Sequence, residues 1–200
     1  AGVSLQTAGG GLVPGIVQLD YARNIRIERN LFRHSGAHAL ITVHNTTSNV
    51  FVGNTLTNLA GGGIYLSTAS QPGASTFDTI KDNLIERVGQ VYTDCVGIFL
   101  PILAHTTVEH NVVRNCPYTG ISIGWSWDDS DLGCRDNVIQ FNRIHNVMQL
   151  HDDGAGIYSL GRMTNGLIAG NYIYGITPSA YQGGSAIVGI YLDNGSCYKT

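Results

Sequence analysis

Charge is what this 200-residue chain has least of. Only 12% of its residues are charged, and lysine is almost absent: Lys81 and Lys199 stand beside nine arginines scattered singly, for a net charge of −3. With no basic stripe to neutralise phosphates, nucleic acid is excluded as an expected partner. No apolar run approaches the roughly 18 residues of a membrane span, so no membrane contact is expected. No charged-then-apolar leader opens the chain either. Cysteine is sparse as well: Cys95, Cys116, Cys134 and Cys197 make no CxxC pair. Buried thiols are the plain reading, with a Cys95 to Cys116 bridge as the alternative in an oxidising compartment. The seven histidines show no HExxH spacing, and no GxSxG elbow is present.

What the chain has in quantity is glycine, 26 residues, within a 43% apolar composition. Many turns and few charges suit short strands better than helices with solvated charged faces. Internal repetition supplies the architecture. Six segments share an apolar-x-x-Asn-x-apolar core: IRIERNLF, VFVGNTL, TIKDNLI, TVEHNVV, VIQFNRI and LIAGNYI. Their asparagines are Asn30, Asn54, Asn83, Asn111, Asn142 and Asn171. Each is followed by a small-then-aliphatic pair: Ala39-Leu40, Gly63-Ile64, Gly97-Ile98, Gly120-Ile121, Gly156-Ile157 and Gly189-Ile190. A unit of roughly 23 to 30 residues with alternating short strands and one asparagine turn predicts an all-β, single-stranded parallel β-helix of about six coils. Asparagine suits the turn because it tolerates the left-handed conformation and can bond the same amide one coil away. The aliphatic residue after the glycine is expected to point inward, which leaves Tyr65, Phe99, Ser122, Tyr158 and Tyr191 as an outward column. The whole of 1–200 reads as one such domain. It starts at Ala1 and shows no capping helix, so it is expected to be incomplete at both ends.

Insertions relative to the bare coil gather polar and aromatic residues, at Thr68 to Phe77, Gln90 to Asp94, Gly124 to Cys134, Met148 to Asp153 and Thr177 to Gly184. In the third of these, Trp125 and Trp127 beside Asp128 and Asp129 suggest a sugar-stacking wall. The run Asp128-Asp129-Ser130-Asp131 is also oxygen-rich enough for Ca²⁺, although it lacks EF-hand spacing, and no cofactor or metal is expected. Asp152 and Asp153, next to His151 and just before an apolar strand, form a carboxylate pair in which one acid could be tuned for proton transfer. The alternative is an aspartate that only caps the Gly154 turn. Asp193 ends its strand on the outer face, two residues after Tyr191.

The stretches PYTGISIGW (117–125), DDGAGIYSLG (152–161) and GIYLDNGS (189–196), set among asparagine-turn coils, resemble right-handed parallel β-helix carbohydrate-active enzymes of the pectate-lyase-like architecture, most closely glycoside hydrolase family 141. That resemblance implies hydrolysis of plant cell-wall polysaccharide or oligosaccharide, fucosidase-like or xylanase-like, by two aspartates. By motif they fall on Asp153 and Asp193. Trp125, Trp127, Tyr158, Tyr191, His151, Asp152, Asp128 and Asp129 are then the expected substrate contacts. An extracellular or periplasmic location goes with such a substrate. Two alternatives stay open: a polysaccharide lyase or epimerase of the same fold, for which few Lys or Arg are at hand, and a non-catalytic glycan-binding or structural β-helix.

Spacing sets a condition on the pair. Asp153 lies three residues before Gly156 and Asp193 four after Gly189, which along straight strands is roughly 23 Å apart. Paired glycosidase carboxylates stand about 5 to 9.5 Å apart. The Met148 to Asp153 insertion must therefore fold back over the outer face. A rival partner for Asp193 is the loop that leaves Gly124, with Asp128, Asp129 and Asp131.

Overall fold

The computed structural model describes residues 13–66, 75–177, 180 and 183–200. The insertion expected at Thr68 to Phe77 lies mostly outside them, as does part of Thr177 to Gly184.

The chain is a parallel β-helix. Every coil contributes one short strand to each of three long sheets, and each strand pairs in parallel with its equivalent one coil away. The first sheet holds Gly15–Leu19, His38–Thr42, Ile64–Leu66, Ile98–Leu100, Ile121–Ile123, Gly154–Ser159 and Ile187–Leu192. The second runs from Arg26–Glu28 through Val50–Val52, Thr79–Lys81, Thr107–Glu109 and Val138–Gln140 to Leu167–Ala169. The third runs from Leu31–Ser35 through Thr55–Leu59, Leu84–Glu86, Val112–Arg114 and Arg143–His145 to Tyr172–Tyr174.

The central residue of each three-residue strand faces the core in the second and third sheets, and the aliphatic residue after the glycine does so in the first, so apolar side chains stack as columns. Phe51, Ile80, Val108 and Ile139 form one, Leu56, Ile85, Val113 and Ile144 a second, and Ile64, Ile98, Ile121 and Ile157 a third. All are buried. At about 1.5–3 kcal/mol for each fully buried aliphatic side chain, these columns are the main stabilising term.

The six asparagines form one ladder at the turn between the second and third sheets. The Oδ1 of Asn111 accepts from the Asn83 backbone amide at 3.0 Å and from Asn83 Nδ2 at 2.9 Å, and Asn142 does the same for Asn111. The pattern extends from Asn30 to Asn171. The left-handed residue at this turn is not the asparagine, however, but the one before it: Arg29, Gly53, Asp82, His110, Phe141 and Gly170. The asparagine side chain needs its own backbone extended to reach along the stack, so the preceding residue takes the bend.

Glycine before the first-sheet strand has a different cause, close approach. A Cβ on Gly97 would stand 2.6 Å from the Gly120 carbonyl oxygen, one on Gly120 2.7 Å from that of Gly156, and one on Gly156 2.8 Å from that of Gly189.

None of Cys95, Cys116, Cys134 and Cys197 is in a disulfide, so the bridge alternative for Cys95 and Cys116 does not hold. Burial pushes the Cys116 thiol up to about 12, against a slight opposing pull from the Val88 backbone, which makes it a packing group.

Candidate active site

The outer face of the first sheet differs from the expected open column. Tyr65, Phe99, Ser122 and Tyr158 are all buried, and only Tyr191 is partly exposed. The alternation of side chains is as expected. What changes is the covering, because residues from the inserted loops pack over this face. Trp125 stands edge-on to Phe99 with ring centres 5.2 Å apart, and the Tyr65 hydroxyl accepts the Val96 amide at 3.0 Å.

Two groups of loops flank this face. Those entering the strands carry Thr93, Tyr118, His151, Asp152 and Asp153. Those leaving them carry Trp125, Trp127, Asp128 and Asp193. The leaving loops rest directly on one another: Gly124, Gly161 and Gly195 all have positive φ, and a Cβ on Gly195 would overlap the Asp128 carbonyl while one on Gly161 would stand 2.9 Å from the Ser126 oxygen.

Between the two groups sits a cluster of phenols and carboxylates. Tyr158 donates its hydroxyl to Asp193 Oδ2 at 2.5 Å, and its ring meets Tyr191 edge to face at 5.4 Å. Asp153 has a left-handed backbone, φ 58, and its carbonyl accepts the Tyr118 hydroxyl at 2.6 Å. Burial pushes the Tyr158 phenol well above its ordinary value, and the Asp193 hydrogen bond and the charges of Asp193 and Asp153 push the same way. Tyr191 is raised by loss of solvent, then by Asp193 and Asp153. Both aspartates therefore act on the same two phenols. Asp153 immediately precedes the strand Gly154–Ser159 and the Asp193 amide donates to the Ser159 carbonyl at 2.9 Å, so the two aspartates reach this face from opposite ends of that strand.

Tyr118 was not among the residues singled out from sequence. Burial and then the charge of Asp153 raise its phenol, with smaller contributions from Asp152 and Asp94. Its signal was positional: it stands two residues before Gly120, one coil below the segment that carries Asp153 before Gly156.

The remaining expected contacts separate into two kinds. Trp127 is 57% exposed and stands edge-on to the half-buried Trp125 with ring centres 5.4 Å apart, so the pair forms an aromatic ridge with Trp127 outermost. His151 Nε2 lies 2.9 Å from Thr93 Oγ1, with its ring edge-on to Tyr118. Asp152 turns instead onto the next coil, where the Ser185 amide donates to it at 3.0 Å and holds its carboxyl below the usual range. Asp128 accepts from the Ser130 amide and the Ser126 hydroxyl, both at 3.0 Å, and is held low by them. These two carboxylates brace loops. Asp129 is exposed on the same loop.

The nearby cations are already engaged. Lys199 Nζ donates to the Gly161 carbonyl at 2.5 Å, and the Arg162 guanidinium lies 4.5 Å over the Tyr198 ring.

Residues 13–133 match the family model described as a right-handed β-helix region. The chain belongs to the right-handed β-helix family. A solved structure named a glycoside hydrolase is similar to this β-helix protein at 22% identity and a TM-score of 0.81, over 92% of this chain. The chain spans 37% of the length of that structure, and the likeness speaks for the fold. No curated protein matches it.

Proposed function

We propose that this β-helix protein is a glycoside hydrolase acting on plant cell-wall-type polysaccharide or oligosaccharide at the outer face of its first sheet, with Asp153 and Asp193 as the paired carboxylates. The observation that carries the reading is the hydrogen bond from the buried Tyr158 hydroxyl to Asp193 at a strand end, with Asp153, from the insertion on the adjacent coil, adding its charge to Tyr158 and to the partly exposed Tyr191. A solenoid needs neither acid for its coils. The name of the similar solved structure points the same way.

Hydrolysis of a glycosidic bond needs one carboxyl to protonate the leaving oxygen and one carboxylate to attack the sugar or activate water. Asp193 is assigned the second role. It accepts the Tyr158 hydroxyl, and a carboxylate that receives donor hydrogen bonds is the one arranged to carry charge. Asp153 is then the acid, held in place through its carbonyl by Tyr118. Trp127 and Trp125 supply an aromatic surface for the sugar ring next to the acids. A lyase would need a free cation to stabilise the carbanion beside a uronate, and Lys199 and Arg162 are committed elsewhere.

The test is incubation with a panel of neutral and acidic cell-wall oligosaccharides, with products followed by NMR. The proposal expects new reducing ends, lost on Asp193→Asn and on Asp153→Asn in folded protein. Unsaturated uronates among the products, or full turnover by both variants, would overturn it. Tight binding without turnover would leave a glycan-binding module instead of an enzyme.

A further inference from the structure

The outer face of the third sheet carries a second cluster that the proposed active site does not use. By register, Arg33, Thr57, Glu86, Arg114, His145 and Tyr174 form one outward column, and the neighbouring column ends in Arg143 and Tyr172. Three rings at its end are stacked like steps. Tyr174 lies on His145 at 4.6 Å and 9°, and Tyr172 lies on Tyr174 at 4.7 Å and 30°. Tyr172 is 62% exposed, so the stair ends in an aromatic surface open to solvent.

The charge beside it is unbalanced. Glu86 is shared by Arg87 and Arg114, at 3.0 and 2.7 Å. Arg143 has no ion pair among the described residues. Its Nε and Nη2 donate to the Tyr174 hydroxyl, at 3.0 and 2.5 Å, which holds the planar group beside the stair and leaves N–H groups over. Burial and then the charges of Arg143 and Arg114 hold His145 below the usual imidazole range, as expected in a positive local field. In a protein of net charge −3, this face is a positive island.

We propose that this face binds an acidic glycan, with a uronate ring stacked on Tyr172 and its carboxylate taken by Arg143. Tyr172 and Arg143 are register partners on adjacent coils, about 4.8 Å apart along the stack. A uronate presents an apolar ring face and a carboxylate fixed to that ring, which match an aromatic surface and an arginine fork at this separation. A neutral sugar would leave the arginine unanswered, and a free carboxylate would leave the tyrosine uncovered. The site lies on a different sheet from Asp153 and Asp193. It does not depend on what those residues do.

The test titrates the full chain with an α-1,4-linked galacturonate trisaccharide at low salt, by calorimetry or NMR. The fully methyl-esterified trisaccharide is titrated in parallel. Arg143→Gln and Tyr172→Ala, at exposed positions, are each expected to weaken binding by about tenfold, with unchanged urea midpoints. The ester is expected to bind as weakly to the unaltered protein as the acid does to Arg143→Gln. Asp193→Asn and Trp127→Ala should leave this binding as it was. The proposal is overturned if the trisaccharide fails to bind at about 10 mM. It is equally overturned if the ester binds as well as the acid, if both third-sheet variants bind normally, or if the loss follows Asp193→Asn or Trp127→Ala instead.

Discussion

Asn111→Ala should be among the most destabilising single changes on this chain, although it removes no apolar contact. The Asn111 side chain accepts from the Asn83 amide and from Asn83 Nδ2, and donates to the carbonyls of Ile80 and Glu109 and to Asn142 Oδ1, all between 2.9 and 3.0 Å. Asn83 and Asn111 are both buried, so the Asn83 amide would be left with no partner where water does not reach. One buried unsatisfied amide costs about 1–3 kcal/mol, and each of the other bonds contributes about 0.5–1.5 kcal/mol net. The two Nδ2 hydrogens are shared among three acceptors and count as two bonds, so the middle of the first range and the low end of the second give about 3.5 kcal/mol. For a chain of this size that is a fall in Tm of about 7–14 °C. The control is the exposed Asn30→Ala, whose side chain among the described residues bonds Glu28 and Asn54, and which should cost about 1 kcal/mol. Urea unfolding followed by circular dichroism measures both. If Asn111→Ala costs no more than Asn30→Ala, the ladder is not the stabilising device described above.

Other outcomes follow from particular contacts. Tyr158→Phe removes the hydroxyl that donates to Asp193, a charge-assisted bond worth about 1.5–3 kcal/mol, so kcat on a cleaved oligosaccharide should fall about tenfold to hundredfold with little change in KM. Gly120→Ala would press a methyl group against the Gly156 carbonyl and Ile144, each 2.7 Å away, and should cost at least about 1–3 kcal/mol in urea unfolding. Asp78 is buried at a position equivalent to Asn49, and burial raises its carboxyl above the ordinary 3.8 despite hydrogen bonds from Ser75 and the Asn49 amide. Its folded form therefore favours the protonated acid. The stability this group contributes is full below the unfolded value and is lost as pH rises through the raised folded one. Asp78→Asn should thus stabilise the protein at pH 7 and flatten that part of the stability profile measured between pH 3 and pH 7.

Much of the coil was legible because its causes are local and recur. An asparagine between two apolar strands, followed by a glycine and an aliphatic residue, is the same physical unit each time, and the observed ladder and core columns are its direct consequence. The left-handed residue was misplaced by one position, because propensity favours asparagine there while the ladder bond requires it extended. Burial of Tyr65, Phe99 and Tyr158 was not legible. It depends on loops from several coils closing over one face, and strand alternation says only which way a side chain starts out. The same limit hid Tyr118, whose partner is a backbone carbonyl 35 residues away. Asp152 and Asp153 are adjacent and identical in type, yet the carboxylate of one braces the Ser185 turn while the carbonyl of the other accepts the Tyr118 hydroxyl. Only the fold of the insertion separates them.

The most direct test of the central claim is a crystal structure of Asp193→Asn in complex with an oligosaccharide that the unaltered protein cleaves. The scissile linkage is expected between residues 153 and 193, beside Tyr191, with one sugar ring against Trp127. An oligosaccharide bound elsewhere, or oriented with both residues on its non-scissile sugars, would contradict it.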